Sequence, residues 1–306
     1  VRPVLHDGNE LEIVGGRHPV IESVLPTGVA YIDNDLQLNK QDQQLIILTG
    51  PNMSGKSALL RQTALITLLA HMGCFVPAHS ARIPLTDKIF TRVGASDNLS
   101  SGESTFLVEM NETASILNNL SERSLIILDE IGRGTATYDG ISLAWSIAEF
   151  LHNHTGRPLT LFATHYHELN ELENQFKRIR NFHLTHQESG NRILFLRKLA
   201  QGGSTHSFGI HVARMAGMPA TLLQRATDIM KKLENSHLGG MSEANKQVLS
   251  KASASDDAQF QLSIFDAQSQ TFEEIRALVG ELDVNRLTPV EALLKLQEIQ
   301  QKIVGG

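Results

Sequence analysis

The chain has 306 residues, of which 41% are hydrophobic, and 27 basic against 33 acidic side chains leave a net charge of −6. That is enough apolar material for one large domain or two smaller ones. The acidic balance argues against a module that grips nucleic acid by its phosphates alone, because basic residues gather only in short clusters such as Arg225 with Lys231-Lys232.

No run of 18 apolar residues occurs, and the opening Val1-Arg2-Pro3 has no signal-peptide pattern, so a cytoplasmic protein without membrane contact is expected. The single cysteine, Cys74, has no internal disulfide partner; it fits a reducing compartment and reads as a small buried hydrophobe.

Residues 1–44 read as short strands and turns. Residues 13–24 hold Gly15-Gly16-Arg17-His18-Pro19-Val20, and a Pro26-Thr27-Gly28 turn separates them from residues 29–34. Tyr31 is either a core aromatic or a platform for a flat base. Then Leu45-Ile46-Ile47-Leu48-Thr49, an apolar run of strand character, feeds Gly50-Pro51-Asn52-Met53-Ser54-Gly55-Lys56-Ser57, a match to G-x-x-x-x-G-K-[ST]. Residues 58–69 read as a helix, continued by the apolar residues 63–72. Strand, glycine loop and helix in this order are the context a phosphate-binding loop needs. Gly50 and Gly55 let the backbone turn its N–H groups inward, and the helix presents its positive N-terminus to the same point. Lys56 would reach the β and γ phosphates of a nucleotide, and Ser57 would offer Mg²⁺ a hard oxygen ligand. A glycine-rich turn without a ligand is the bland alternative.

Residues 75–83 and 88–93 read as strands, and residues 94–102 turn polar. Ser104-Thr105-Phe106 opens a helix running to about residue 119, with Ser104 or Thr105 as its N-cap and Glu109 early in it. In Leu125-Ile126-Ile127-Leu128-Asp129-Glu130, four apolar residues suit a strand buried on both faces. The two acids stand at its C-terminal end, where parallel sheets place ligands. Asp129 would hold Mg²⁺ directly or through water, and Glu130 would orient and deprotonate a water attacking the γ phosphate. The glycine-punctuated Gly132-Arg133-Gly134-Thr135-Ala136-Thr137-Tyr138-Asp139-Gly140 leads into a helix over residues 141–151. A third buried strand, residues 159–164, ends at His165-Tyr166-His167, and His165 could contact a γ phosphate or the attacking water. As a metal pair, His165 and His167 lack a Cys cluster or a complete ligand set. Strand and helix in alternation predict an α/β fold with a largely parallel sheet.

Leu222, Ala226, Ile229, Met230 and Leu233 recur at helical intervals after Gly217-Met218-Pro219, which predicts two helices joined by a turn within residues 205–234. Residues 235–257, polar and rich in Ser, Ala, Gly and Lys, read as a disordered linker. Thr288-Pro289-Val290-Glu291 is a capping box, and Val290, Leu293, Leu294, Leu296, Ile299 and Ile303 form an apolar stripe behind it. Such a short helix is marginal alone and is expected to pack on residues 272–279 and on other subunits.

Together, residues 50–57, Ser104-Thr105-Phe106-Leu107-Val108-Glu109-Met110, Asp129-Glu130-Ile131-Gly132-Arg133-Gly134-Thr135, Thr137-Tyr138-Asp139-Gly140 and Ala163-Thr164-His165-Tyr166 resemble the ATPase region of the MutS family of bacterial DNA mismatch repair proteins. Arg17-His18-Pro19-Val20 and Ser207-Phe208-Gly209-Ile210 resemble it too, so the likeness runs over roughly residues 1–235. The resemblance implies an ABC-type P-loop ATPase that uses Mg²⁺ and ATP, releases ADP, forms two sites across a homodimer and drives the conformational cycle of mismatch recognition and repair signalling. Another ABC-type ATPase, from a transporter or a chromosome-maintenance protein, is the second enzyme reading; its discriminating Leu-Ser-Gly-Gly-Gln signature is absent, and Ser-Thr-Phe-Leu-Val-Glu-Met stands in its place. By the same resemblance, Ser104 would reach the γ phosphate held by the opposite subunit. Thr135 and Asp139 would lie in the loop that crosses the interface, with Asp139 structural. Tyr31 would stack on adenine, Arg197 would approach the base from the other side, and the helix pair would be a dimer-locking helix-turn-helix.

Gln261-Leu262-Ser263-Ile264-Phe265 resembles the bacterial sliding-clamp-binding pentapeptide, a short segment with two apolar anchors for a partner's pocket. The last segment resembles the family's tail that joins dimers into tetramers. The expected organisation is therefore an ATPase domain over residues 1–204, a helix-turn-helix dimerisation element over 205–235, a disordered linker with the clamp-binding motif over 236–270, and a helical oligomerisation tail over 271–306. Mismatched DNA, MutL and the sliding clamp are the implied partners, and the bacterial cytoplasm, associated with the nucleoid, is the implied location. No segment resembles the family's mismatch-reading, connector, lever or clamp regions, so the chain looks like a C-terminal fragment. Ser54 stands where many relatives have Gly and adds a Cβ where backbone would approach phosphate. A module that only dimerises and tethers to the clamp is the alternative from a different class.

Overall fold

The computed structural model describes residues 1–51, 53–94, 104–189, 192–204 and 208–239. The chain divides into two compact units, Val1–Leu223 and Gln224–Gly306.

The first unit is built on two sheets. Its elements in order are β1 (Val4–His6), β2 (Glu10–Gly16), α1 (Pro19–Val24), β3 (Asn34–Asn39), β4 (Leu45–Thr49), α2 (Lys56–His71), β5 (Ser80–Pro84), β6 (Lys88–Val93), α3 (Thr105–Asn118), β7 (Ser124–Asp129), α4 (Thr137–Asn153) and β8 (Leu159–Thr164). A 3₁₀ turn (His167–Glu171), α5 (Leu172–Gln175), β9 (Ile179–Ser189), β10 (Arg192–Gln201), α6 (Gly209–Met215) and the start of α7 (Ala220–Gly239) follow.

The larger sheet has the order β10-β9-β4-β8-β7-β6, and every neighbouring pair in it is parallel except β10 with β9. The smaller sheet, β1-β5-β2-β3, is mostly antiparallel. The expected largely parallel α/β architecture is thus present as a mixed α/β fold.

Alternation along the central strands explains how the layers hold together. Ile46, Leu48, Leu125, Ile127, Leu161 and Ala163 share one core with Leu59, Leu60 and Ile66 of α2 and with Leu11, Ile13, Leu36 and Leu38 of the smaller sheet. Leu45, Ile47, Ile126, Leu128 and Phe162 point the other way, into a second core with Ile116 of α3 and Ile141, Ala144, Ile147 and Leu151 of α4. Strands covered on both faces favour apolar residues at successive positions, which is why β4 and β7 each hold four of them in a row; β8 is interrupted by the fully buried Thr160, whose hydroxyl donates to Pro158 O at 3.2 Å. Each such side chain contributes about 1.5–3 kcal/mol by leaving water.

Three local expectations change. Residues 19–24 form the short helix α1 rather than a strand: Pro19 takes its first position, and Ile21 N–H donates to Nδ1 of the N-capping His18 at 3.3 Å. The third strand starts only at Asn34, so Val29 to Asp33 remain outside the sheet. The apolar run from Phe75 is loop until Ser80, with Phe75 itself 76% exposed.

Of the second unit, the structure describes α7 as far as Gly239, where Gln224 Nε2 donates to Asp228 Oδ1 at 3.3 Å. The turn expected ahead of α7 is present, with Gly217 at φ 84° and Ala220 opening the helix. The pentapeptide at residues 261–265, most of the expected linker and the tail lie outside the described residues. No described helix is long and apolar enough to cross a membrane.

Candidate functional site

The loop after β4 turns on residues in the left-handed region: Gly50 at φ 141°, Met53 at 72° and Gly55 at 104°. Ser54 avoids that region, so its Cβ brings no backbone strain; the residue is 1% exposed and its Oγ has no partner. Ser54 therefore brings no left-handed backbone to the loop but does bring a buried, unpaired hydroxyl.

Lys56 begins α2 and curls back into the loop, Nζ donating to Gly50 O at 2.5 Å and Pro51 O at 3.1 Å. It is 4% exposed, and burial pulls its pKa below the ordinary lysine value while Glu130 and Asp129 oppose that pull. Pro51, Met53, Gly55, Lys56 and Ser57 all line a cleft of about 1010 Å³, as do Asp129 and Glu130 from the end of β7. Asn52 lies outside the described residues.

Burial raises the pKa of Asp129, against the opposing effect of a hydrogen bond from Ser57. Asp129 Oδ1 is buried and has no partner. A carboxylate oxygen without a donor beside a serine hydroxyl is a donor set that suits a hard divalent cation such as Mg²⁺. No group of three or more His, Cys, Asp or Glu among the described residues could hold a metal alone, so such a cation would complete its shell with phosphate or water.

Glu130 sits one residue past β7 at φ 56°, an uncommon conformation for a non-glycine residue. Its N–H donates to Ala163 O at 2.9 Å, which fastens it to the end of β8. Its Oε2 accepts from Arg133 Nη1 at 2.8 Å, and its Oε1 lies 3.9 Å from Lys56 Nζ. His165 follows β8 and is exposed, with its ring 4.2 Å from that of Tyr166 between centroids. The protein around its ring lowers its pKa, and the Glu130 charge acts in the opposite sense. His165 is near Glu130 but is not among the residues lining the cleft.

At the far wall, Tyr31 lines the cleft and its hydroxyl donates to Gln62 Oε1 at 3.1 Å. Burial raises its pKa. Arg197 also lines the cleft, at φ 55° in an irregularity of the β9–β10 ladder. Asn34 holds that irregularity from both sides: its Nδ2 donates to Arg197 O at 3.0 Å, and its Oδ1 accepts from Leu199 N at 2.6 Å. The arginine stem thereby passes the glycine loop, so that a Cβ at Gly55 would lie 3.9 Å from Arg197 Cγ and Cδ.

Ser104 occupies the N-cap position of α3, is exposed and makes no side-chain cap hydrogen bond. Its neighbour Thr105 lines the cleft, whereas Ser104 does not. Thr135 is half-buried in the turn before α4, and Asp139 is exposed in the first turn of α4, where its charge faces the positive helix end. The sequence reading left Arg92 and Arg133 without a role and gave Glu109 none beyond its place in the helix, yet all three line the cleft. Arg92 shares its edge strand with Lys88 and Thr91, so no local signal set it apart.

The family model for MutS domain V matches residues 46–234. The chain belongs to the MutS family. It is 59% identical over 303 residues to the DNA mismatch repair protein MutS of Flavobacterium psychrophilum, covering 99% of this chain and 34% of that protein. The protein of the same name from Parabacteroides distasonis is 57% identical over 307 residues, covering 100% and 35%, and that of Christiangramia forsetii is 58% identical over 302 residues, covering 99% and 34%. The chain thus spans about a third of the length of the MutS relatives it matches. The domain V match contains every cleft residue contributed by the glycine loop, α3 and β7, while Tyr31 and Asn34 precede it.

Proposed function

We propose that this chain is the ABC-type P-loop ATPase part of a MutS protein and that it hydrolyses ATP to ADP and phosphate to drive mismatch recognition and repair signalling. The observation that carries this reading is the convergence of Lys56, Ser57, Asp129 and Glu130 in one cleft, with a buried Asp129 oxygen left unpaired beside the Ser57 hydroxyl.

The loop amides and Lys56 hold the β and γ phosphates, for which Lys56 exchanges its carbonyl partners for phosphate oxygens. Ser57 and Asp129 would hold Mg²⁺, which when bound would offset phosphate negative charge. Glu130 takes the proton of the attacking water once Arg133 releases its carboxylate, and His165 contacts the γ phosphate or that water. Tyr31 stacks on the adenine and Arg197 covers its other face. Ser104, whose hydroxyl is unused as a cap, serves the site of a second copy in a homodimer, with Thr135 and Asp139 in the interface loop. MutL, the sliding clamp through residues 261–265, mismatched DNA through other parts of the longer protein, and tetramer formation through the tail complete this reading, set in the bacterial cytoplasm.

Glu130→Gln tests it. The variant is expected to bind ATP within about threefold of wild type and to lose at least about 100-fold in turnover. Unchanged hydrolysis would refute the assignment, and a wild-type chain that binds ATP without any turnover would favour a tethering module.

A further inference from the structure

We infer that Glu109 is a positioning residue that ties the helix opened by Ser104 to the turn carrying Glu130, so that the two catalytic elements move together. The inference rests on the hydrolytic reading above.

Glu109 lies in the second turn of α3 and is 6% exposed. A carboxylate at that depth is costly unless it is paired. Its Oε1 accepts from Gly132 N–H at 2.5 Å, and its Oε2 is 3.4 Å from Arg92 Nη2. Arg92, 4% exposed at the end of β6, also places Nε 2.9 Å from Glu112 Oε2 and donates from Nη1 to Gly94 O at 2.5 Å. Two carboxylates of α3 therefore lie within ion-pair range of one buried guanidinium, with the hydrogen bond made to Glu109 and Nε left without one, and Glu109 reaches on to the backbone of the catalytic turn.

That turn has no slack. Glu130 N–H is bound to Ala163 O at 2.9 Å, and two residues later Gly132 is bound through its N–H to Glu109 and through its O to the Tyr166 hydroxyl at 2.8 Å. Gly132 has φ 86°, and a Cβ there would sit 2.7 Å from Gly140 Cα and O. Ile131, between the two anchors, is fully buried. With both ends pinned, the left-handed backbone at Glu130 and the direction of its carboxylate follow from where Glu109 holds Gly132. Ser104 stands at the N-cap position of the same helix, and Val108 N–H bonds to Ser104 O at 3.1 Å, so a pull on the serine moves α3 and the Glu109 carboxylate with it. A misplacement of about 1 Å in such a site costs up to about 100-fold in rate.

The test measures ATP turnover, equilibrium ATP affinity and backbone hydrogen exchange over residues 129–140 for Glu109→Ala and Glu109→Gln. Gln keeps an acceptor for Gly132 N–H and loses the charge facing Arg92. Glu109→Ala is expected to lower kcat by at least about tenfold, to leave the ATP Kd within about threefold and to speed exchange in the turn; Glu109→Gln should recover most of kcat. Wild-type kcat in Glu109→Ala, equal losses of kcat and affinity, or no recovery in Gln would overturn the inference. Where Glu109→Ala fails to fold, Glu109→Asp decides: a lower kcat at unchanged Kd supports the inference, and any other pattern overturns it. Glu130→Gln measured alongside separates the two levels: if it keeps turnover, the hydrolytic reading fails, and if it loses turnover while Glu109→Ala does not, only the positioning inference fails.

Discussion

The two ends of the six-stranded sheet are built on opposite terms. At the N-terminal end of β4, Gln44 is fully buried: its Nε2 donates to Leu151 O at 2.9 Å, its Oε1 accepts from Arg178 Nε at 2.9 Å, and its backbone bonds to Arg178 and Thr160. Arg178 Nη2 continues to His152 O at 2.7 Å, and among the buried side-chain atoms here His152 Nε2 is left unpaired. At the C-terminal end, Lys56 is buried, Asp129 Oδ1 and Ser54 Oγ have no partner, and Met53 and Glu130 hold left-handed backbone. The first end spends its polar groups on cohesion; the second leaves them available, at a cost in stability, for a ligand to satisfy.

Substitutions at the two ends should therefore differ in sign. The largest expected effect is at the paired end, where Gln44→Ala would leave Arg178 Nε and the carbonyls of Leu151 and Pro158 without the Gln44 side chain as partner and cost about 3 kcal/mol by chemical denaturation, with ATP affinity unchanged. A loss below about 1 kcal/mol would break the contrast.

Asp129→Asn should do the reverse, gaining on the order of 1 kcal/mol at neutral pH while abolishing Mg²⁺-dependent turnover. The pH dependence has a definite sign. Burial raises the folded-state pKa of Asp129 above the ordinary 3.8, so its charged form destabilises the fold at neutral pH. As pH falls through the raised value toward 3.8, wild type takes up the proton and the penalty is lifted, so the advantage of Asn should shrink to nothing. Thermal denaturation of both chains between neutral and acid pH measures it, and an advantage that grows toward acid would contradict the assignment of strain to this carboxylate.

What could be read in advance follows from how far the deciding interactions lie along the chain. β4, β7 and β8 are legible because burial on both faces makes them predominantly apolar, and residues 50–57 are legible because glycine spacing and the lysine are fixed by local loop geometry. The helix at Pro19 was hidden because its cap is a histidine nitrogen, a weak signal beside the usual Ser or Asp. The run from Phe75 misled because hydrophobicity alone does not distinguish a strand from an exposed loop. Glu109 with Arg92 and Gly132, and Asn34 with Arg197, join residues 17, 23 and 163 positions apart, and no periodicity in the sequence encodes such pairs.

Calorimetric titration of ATP into the wild-type chain and into Lys56→Met, with and without Mg²⁺, tests whether the unpaired end of the sheet is a nucleotide cleft. The expected result is Mg²⁺-dependent binding by wild type and at least about 100-fold weaker binding by Lys56→Met, about 2.7 kcal/mol, in a chain at least as stable as wild type. Equal affinities for the two chains would contradict the account.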